Sequence, residues 1–235
     1  MGTCPSRVTR MSRPELFADR TEAGRALAGK VVEHLSRAGY AGRPLVAALP
    51  RGGVPVGLEV ARAVDGDLDV VVARKIGLPW QPELGVGAVT AAGPTVLDRR
   101  LLAQVRLPEH QLQAAIDRER AEVHRRLRRY RGDRPPPVVA GRMVIVVDDG
   151  LATGVTARAA LASLHAQRPA QLVFAAPVCA PGAATVLGRE ADAVICVQSP
   201  AGFRAVGQWY KDFAQLDDEQ VVQLLARAWN TSPTR

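Results

Sequence analysis

The chain has 235 residues, of which 47% are hydrophobic, 23% charged and 4% aromatic, with a formal net charge of +8. That mixture suits one globular domain of ordinary to large size and excludes long disorder and fibrous repeats. The longest apolar stretch, Leu172 to Leu187, holds two prolines and a glycine within 16 residues, too short and too broken for a bilayer span, so no membrane is expected among its partners.

At the N-terminus Arg7, Arg10 and Arg13 precede no apolar run, so an export signal is not expected and the cytoplasm is the default compartment. Ser12-Arg13-Pro14-Glu15 has the form of a helix start, and Leu27, Val31, Val32 and Leu35 follow at helical spacing, which predicts a helix from Pro14 to Ala38. Pro44 to Leu49 reads as a buried strand, interrupted by Pro50-Arg51-Gly52-Gly53 and followed by a helix over Val54 to Val64. Asp65-Gly66 turns the chain into a strand from Leu68 to Ala73, which Arg74-Lys75 is expected to end. A loop with Gly77, Pro79 and Pro82 leads to a small hairpin of Val86–Val89 and Thr95–Leu97.

Leu112, Ile116, Val123, Leu127 and Tyr130 share one helical face, predicting a long helix from Pro108 to Tyr130. Between Arg99 and Arg134 there are 11 arginines against five acids, so most of the net charge lies there. Such a block suits phosphate or nucleic acid. The interleaved Glu109, Asp117, Glu119, Glu122 and Asp133 argue instead for a solvated helix with internal ion pairs. After the stiff Pro135-Pro136-Pro137 connector, Met143 to Val147 is apolar on both faces, as a central parallel strand should be. A helix (Gly154 to Gln167), a strand (Leu172 to Ala176), a short helix (Gly182 to Leu187) and a last strand (Ala193 to Val197) follow, and Asp217 caps a closing helix containing Val221, Val222, Leu224 and Leu225. Cys4, Cys179 and Cys196 are odd in number and widely spaced, and read as reduced thiols, with Cys196 in the core. Strands alternating with helices predict an α/β fold, a parallel twisted sheet flanked by helices over residues 14–200, with residues 201–235 as a cap on a single domain.

In open α/β sheets ligands bind beyond the carboxyl ends of the strands. After the central strand comes Asp148-Asp149-Gly150-Leu151-Ala152-Thr153-Gly154-Val155-Thr156. A helix starting near Gly154 presents unpaired amides and the positive end of its dipole, which suits a phosphate. Thr153 and Thr156 add hydroxyl donors. The carboxylates would repel that phosphate, so they suit hydroxyl groups or a divalent cation held directly or through water. A sugar phosphate carries both kinds of group. The third glycine of a dinucleotide fingerprint is missing after Gly85-Val86-Gly87, and neither a Walker lysine motif nor a G-x-S-x-G elbow occurs.

The run Val144 to Thr156 resembles the ribose-phosphate loop of the type I phosphoribosyltransferases. Pro50-Arg51-Gly52-Gly53 stands where that family binds the pyrophosphate of phosphoribosyl pyrophosphate (PRPP), often with a cis peptide, and Lys75 stands where a basic residue reaches the same group. The likeness is nearest to a bacterial subgroup of predicted phosphoribosyltransferases with unassigned acceptor. It rests on Phe17-x-Asp-Arg-x-x-Ala-Gly24, Leu49-Pro-Arg-Gly-Gly-Val-Pro55, Arg74-Lys-Ile-Gly77, a Tyr-Arg-Gly near Pro-Pro over Tyr130 to Pro136, and Trp209-Tyr210, and runs from Phe17 to Leu225.

The resemblance implies a Rossmann-type core with a small hood, a homodimer, and transfer of the 5-phosphoribosyl group from PRPP with Mg²⁺. Arg51, Lys75, Asp148 and Asp149 would be catalytic, and Arg51 to Gly53, Lys75 and Asp148 to Thr156 would bind PRPP. Asp148 and Asp149 would serve the Mg²⁺ shell, directly or through water or PRPP. Trp80, Phe203, Trp209 and Tyr210 are candidates for stacking a planar acceptor, with Glu83 in a nearby loop, while anchoring of the hood explains Trp209 and Tyr210 equally well. The alternative is a PRPP-sensing regulator that binds nucleic acid through Arg118 to Arg134.

Overall fold

The computed structural model describes residues 16–78 and 80–231, apart from the side chains of Pro82, Glu83 and Thr231. Ser12, Pro14, Glu15 and Cys4 lie outside these residues. In chain order the elements are α1 (Arg20–Arg37), β1 (Leu45–Ala48), α2 (Gly53–Ala63), β2 (Asp67–Val70), β3 (Ala73–Leu78), β4 (Gln81–Thr90), β5 (Val96–Leu97), α3 (Arg99–Gln104), α4 (Gln113–Arg131), β6 (Met143–Val147), α5 (Val155–His165), β7 (Gln171–Val178), α6 (Ala183–Leu187), β8 (Ala193–Gln198) and α7 (Asp218–Thr231).

Five strands form a parallel sheet in the order β2-β1-β6-β7-β8, with β6 in the middle as its unbroken apolar run predicts. The pleat sends alternate residues of β6 to opposite faces. Met143, Ile145 and Val147 enter the core shared with α1, α2, α4 and α7. Val144 and Val146 enter a second core with Ala157, Leu161 and Leu164 of α5. Each such side chain, fully buried, contributes roughly 1.5–3 kcal/mol over exposure, so a strand with no polar face needs helices on both sides.

Four local expectations change. The first helix begins at Arg20 rather than Pro14. Asp19 caps it, accepting from the Glu22 amide at 2.8 Å, and the Glu22 carboxylate accepts in return from the Ala18 amide. The strand expected over Leu68 to Ala73 divides at Val71-Val72. β2 stays in the parallel sheet, while β3 leaves it and pairs antiparallel with β4. Arg74 and Lys75 therefore lie within β3, and Gly77 belongs to a hairpin rather than a loop. The hairpin expected further on is present, with β4 pairing β5. The long helix starts at Gln113 after a 3-10 turn over Glu109–Leu112. Lastly, Cys179 and Cys196 are joined as a disulfide rather than kept as thiols, because β7 and β8 are neighbours in the sheet and bring the two Cα atoms to 6.2 Å.

The cap expected over residues 201–235 takes in two parts: a segment of residues 199–217, termed the hood, with a 3-10 turn at Val206–Trp209, and then α7. Asp217 caps α7 as expected, accepting from the Gln220 amide at 2.7 Å, and Val221 and Leu225 reach the main core. Among the described residues no helix is long and apolar enough to cross a membrane.

Candidate active site

β1 and β6 are adjacent and parallel, with Ala48 beside Val147, so the loops that follow them leave the same end of the sheet side by side. The first loop carries a cis peptide between Pro50 and Arg51. Its glycines are required by proximity. A Cβ on Gly53 would sit 2.6 Å from the Val147 carbonyl oxygen and 3.1 Å from Asp148 Cα, and one on Gly52 would overlap the Asp149 carboxylate. The Gly53 amide is already spent on the Leu49 carbonyl at 2.9 Å, so it is not among the amides left for a phosphate. The Arg51 guanidinium lies 3.9 Å from Asp218, at the start of α7. Asp218 also accepts from the Tyr130 hydroxyl at 2.7 Å. Burial and this carboxylate push the Tyr130 phenol up to about 12.

In the second loop Gly154 caps α5 with φ +72°, a left-handed conformation that favours glycine. Ala152 and Thr153 are exposed at the tip, and the first amides of α5 have no intrahelical acceptor. Leu151 differs from the expectation. Its side chain is buried, its amide donates to the Val178 carbonyl at 2.8 Å, and its carbonyl accepts from the Ala180 amide at 2.7 Å. With both backbone groups and the side chain spent, it is a strut that fixes the loop rather than a ligand. Gly150 is also covered, since a Cβ there would overlap Val206 of the hood.

Asp148 and Asp149 stand between these loops and are only partly exposed. Burial, reinforced by the neighbouring Asp149 charge, holds the Asp148 carboxyl well above the usual range, while Lys75 and Arg20 pull it down less strongly. Burial likewise raises Asp149 against the lowering pull of Arg20. Arg20 was not singled out from sequence. Its Nε donates to Asp149 Oδ2 at 2.8 Å across 129 residues of chain. Its only signal was membership of the Phe17-x-Asp-Arg run.

A cleft of about 830 Å³ is lined by Pro50 of the first loop, by Arg74 and Lys75 of β3, and by Thr156 at the start of α5. Its far wall is α4, which brings Arg118, Glu119 and Arg126. Glu119 is bonded to Arg74 at 2.9 Å. These α4 residues were seen only as part of a charge block, because helical periodicity does not say what faces the polar side.

The proposed acceptor residues do not converge. Trp80 is 60% exposed at the turn between β3 and β4. The Glu83 side chain lies outside the described residues. Phe203 packs partly buried against the hood cluster. Trp209 and Tyr210 are buried with Phe17, Ala23 and Val178, which is the anchoring arrangement. The Tyr210 hydroxyl donates to the Asp149 carbonyl at 2.5 Å, and burial raises its pKa far above normal.

A parallel sheet with helices on both faces, an acidic pair, and a glycine-rich loop opening a helix beside a basic strand define the type I phosphoribosyltransferase fold. The chain matches the phosphoribosyl transferase domain family over residues 18–202 and belongs to that family. It is 40% identical to the protein in the crystal structure of TT1426 from Thermus thermophilus, with a TM-score of 0.75, over 90% of this chain and 98% of that one. It is 39% identical over 214 residues to a protein provisionally named a phosphoribosyl transferase in two strains of Mycobacterium tuberculosis. That match covers 91% of this chain but 47% of the relative, so the chain spans about half the length of the curated proteins it matches.

Proposed function

We propose that the chain transfers the 5-phosphoribosyl group of PRPP to a nucleophilic acceptor, a nucleobase or similar nitrogen compound, with release of pyrophosphate. One observation supports this most: Pro50 of the loop after β1, Lys75 of β3 and Thr156 of α5 line a single cleft, and the acidic pair, which does not itself line it, packs against the glycines that follow Pro50. On this reading residues 152–156 and the N-terminus of α5 hold the 5′-phosphate. Asp148 and Asp149 accept hydrogen bonds from the ribose hydroxyls. Arg51, the Gly52 amide and Lys75 take the pyrophosphate. The hood closes the acceptor side and excludes water, which would otherwise compete at C1.

The acceptor lone pair forms a bond to ribose C1 as the C1–O bond to pyrophosphate breaks. The electron pair leaves with pyrophosphate, and the acceptor proton passes to solvent. Charge grows on the leaving group, so fixed cations there count most. Losing one well-placed donor to such charge costs on the order of 10²–10³ in rate. Among the described residues no third His, Cys, Asp or Glu joins Asp148 and Asp149 as a metal cage, and one Asp149 oxygen is bonded to Arg20. The pair would therefore serve a Mg²⁺ bound together with PRPP rather than hold one alone. When bound, the ion would spread the charge developing on the leaving group.

Titration calorimetry with PRPP and Mg²⁺, then pyrophosphate release across a panel of bases and other nucleophiles, tests the proposal. Saturable binding that Asp148→Asn weakens severely is expected, and absence of PRPP binding overturns the reading. The regulator alternative draws little support from α4. Arg125 and Arg126 pair with Glu122, Arg131 with Asp69, and Arg129 with Glu219. Retention of RNA or DNA that falls steeply with salt would restore it.

A further inference from the structure

The two carboxylates of the pair are held by different bodies. Asp148 belongs to the sheet, where its amide donates to the Ala175 carbonyl of β7 at 3.2 Å. Asp149 is held at both ends, by the hood and by the first residue of α1. Its carbonyl accepts from the Tyr210 hydroxyl at 2.5 Å, and its carboxylate accepts from Arg20. Arg20 Nη1 in turn donates to the Ala214 carbonyl at 2.8 Å, and its guanidinium lies 3.9 Å from the centre of the Phe213 ring. Phe213 packs on Tyr210 at 4.9 Å between ring centres, and Tyr210 on Phe17 at 5.6 Å. Backbone bonds lace the same pieces together. Phe17 donates to the Trp209 carbonyl, Lys211 to that of Phe17 and Asp212 to that of Ala18, at 2.8–2.9 Å. The Arg20 side chain is only 12% exposed, so its position is set by these partners and not by solvent.

We propose that Arg20 is a positioning residue that couples the hood to the ribose end of the site. It presents Asp149 in its working position only while Phe213 and Ala214 are docked, so hood closure and PRPP binding are one linked equilibrium. This rests on the PRPP reading above. A lysine at position 20 would keep the charge, but it lacks the planar fork that spans Asp149, Ala214 and the Phe213 face together.

The test has two arms. In the first, PRPP and Mg²⁺ affinity is measured calorimetrically for the wild-type chain, Arg20→Ala, Arg20→Lys, Phe213→Leu, Asp149→Asn and the Arg20→Ala/Asp149→Asn double variant. Arg20→Ala is expected to weaken binding at least tenfold, Arg20→Lys nearly as much, and Phe213→Leu severalfold. The double variant should be no more than about threefold worse than Asp149→Asn, because both changes break one unit. Full rescue by lysine, or additive losses in the double variant, overturns the coupling. In the second arm, amide hydrogen exchange over residues 206–216 is followed without ligand. Faster exchange in both Arg20→Lys and Asp149→Asn is expected. Unchanged exchange in both overturns the coupling even if no variant binds PRPP, whereas failure of the wild-type chain to bind PRPP beside a loosened hood overturns the function and leaves the link intact. Arg20→Lys and Phe213→Leu keep the test open should Arg20→Ala fail to fold.

Discussion

The centre of the sheet and the hood meet at two consecutive residues, and they organise them by opposite means. Asp148 follows directly from β6, and its place is set by neighbouring strands in register. Asp149, one residue on, depends on side chains that come from both ends of the chain, Arg20 and Tyr210. The first arrangement is built from repeated backbone bonds and apolar packing. The second is built from a few charged and aromatic contacts, and losing any one of them is felt by all.

The comparison breaks most completely at the glycine that touches both regions. Gly52 has an ordinary backbone angle, φ −63°, so the cost of Gly52→Ala comes from overlap with the Asp149 carboxylate and from crowding of Arg20 Nε at 3.2 Å. PRPP binding is expected to fall by about 100-fold and stability by roughly 1–3 kcal/mol, read by calorimetry and denaturant melts. Gly29→Ala, in an open helical position of α1, is the control and should gain up to about 1 kcal/mol. Equal behaviour of the two variants would remove the steric argument.

The disulfide tests the sheet side alone. Replacing both Cys179 and Cys196 by alanine releases a cross-link with a sequence separation of 17, expected to cost about 3 kcal/mol in a denaturant melt. PRPP affinity should stay within about threefold, since Leu151 keeps its backbone bonds to Val178 and Ala180. A large loss of affinity without loss of stability would place the phosphate loop under control of the cross-link.

The two acids should separate in stability as well as in binding. Asp148→Asn removes a carboxyl whose ionised form is disfavoured by burial and by Asp149, so the ligand-free chain should be as stable as wild type or more so. Burial raises Asp149 too, but Asp149→Asn leaves the buried Arg20 guanidinium without an anionic partner and should cost roughly 1–2 kcal/mol. Identical melts for both would show that the hood contact carries no weight.

The smallest effect lies on α4, in the ion pairs of Glu122. Arg125 and Arg126 hold Glu122 down to about 2. Its contribution is therefore fully present above the ordinary carboxylate range and is lost as pH falls from there towards 2. Glu122→Gln should cost about 0.5 kcal/mol at neutral pH, less in high salt, and nothing at pH 2. A cost that persists in acid or in salt would point to packing instead of charge.

How legible the molecule was follows the same division. Met143 to Val147 could be read as the central strand because a doubly buried strand must be apolar throughout, and the acids and glycines after it could be read as a loop facing a ligand. The exit of the chain at Val71-Val72 could not, because a run of valines continues a strand equally well in either sheet. Nor could burial of Trp209 and Tyr210, since aromatic side chains serve a stacking platform and an anchor alike.

The amino-acid order by itself determined the α/β layering, the two glycine loops and the charge types brought to the sheet end, because strand periodicity, turn residues and helix starts are local. Only the tertiary structure decided which acid Arg20 neutralises, that Leu151 is a strut, that α4 walls the cleft and that two cysteines meet. Those outcomes join residues between 17 and 129 positions apart, as far as Arg20 and Asp149. Their energies arise from contact and burial in the closed fold, which no short window of sequence contains.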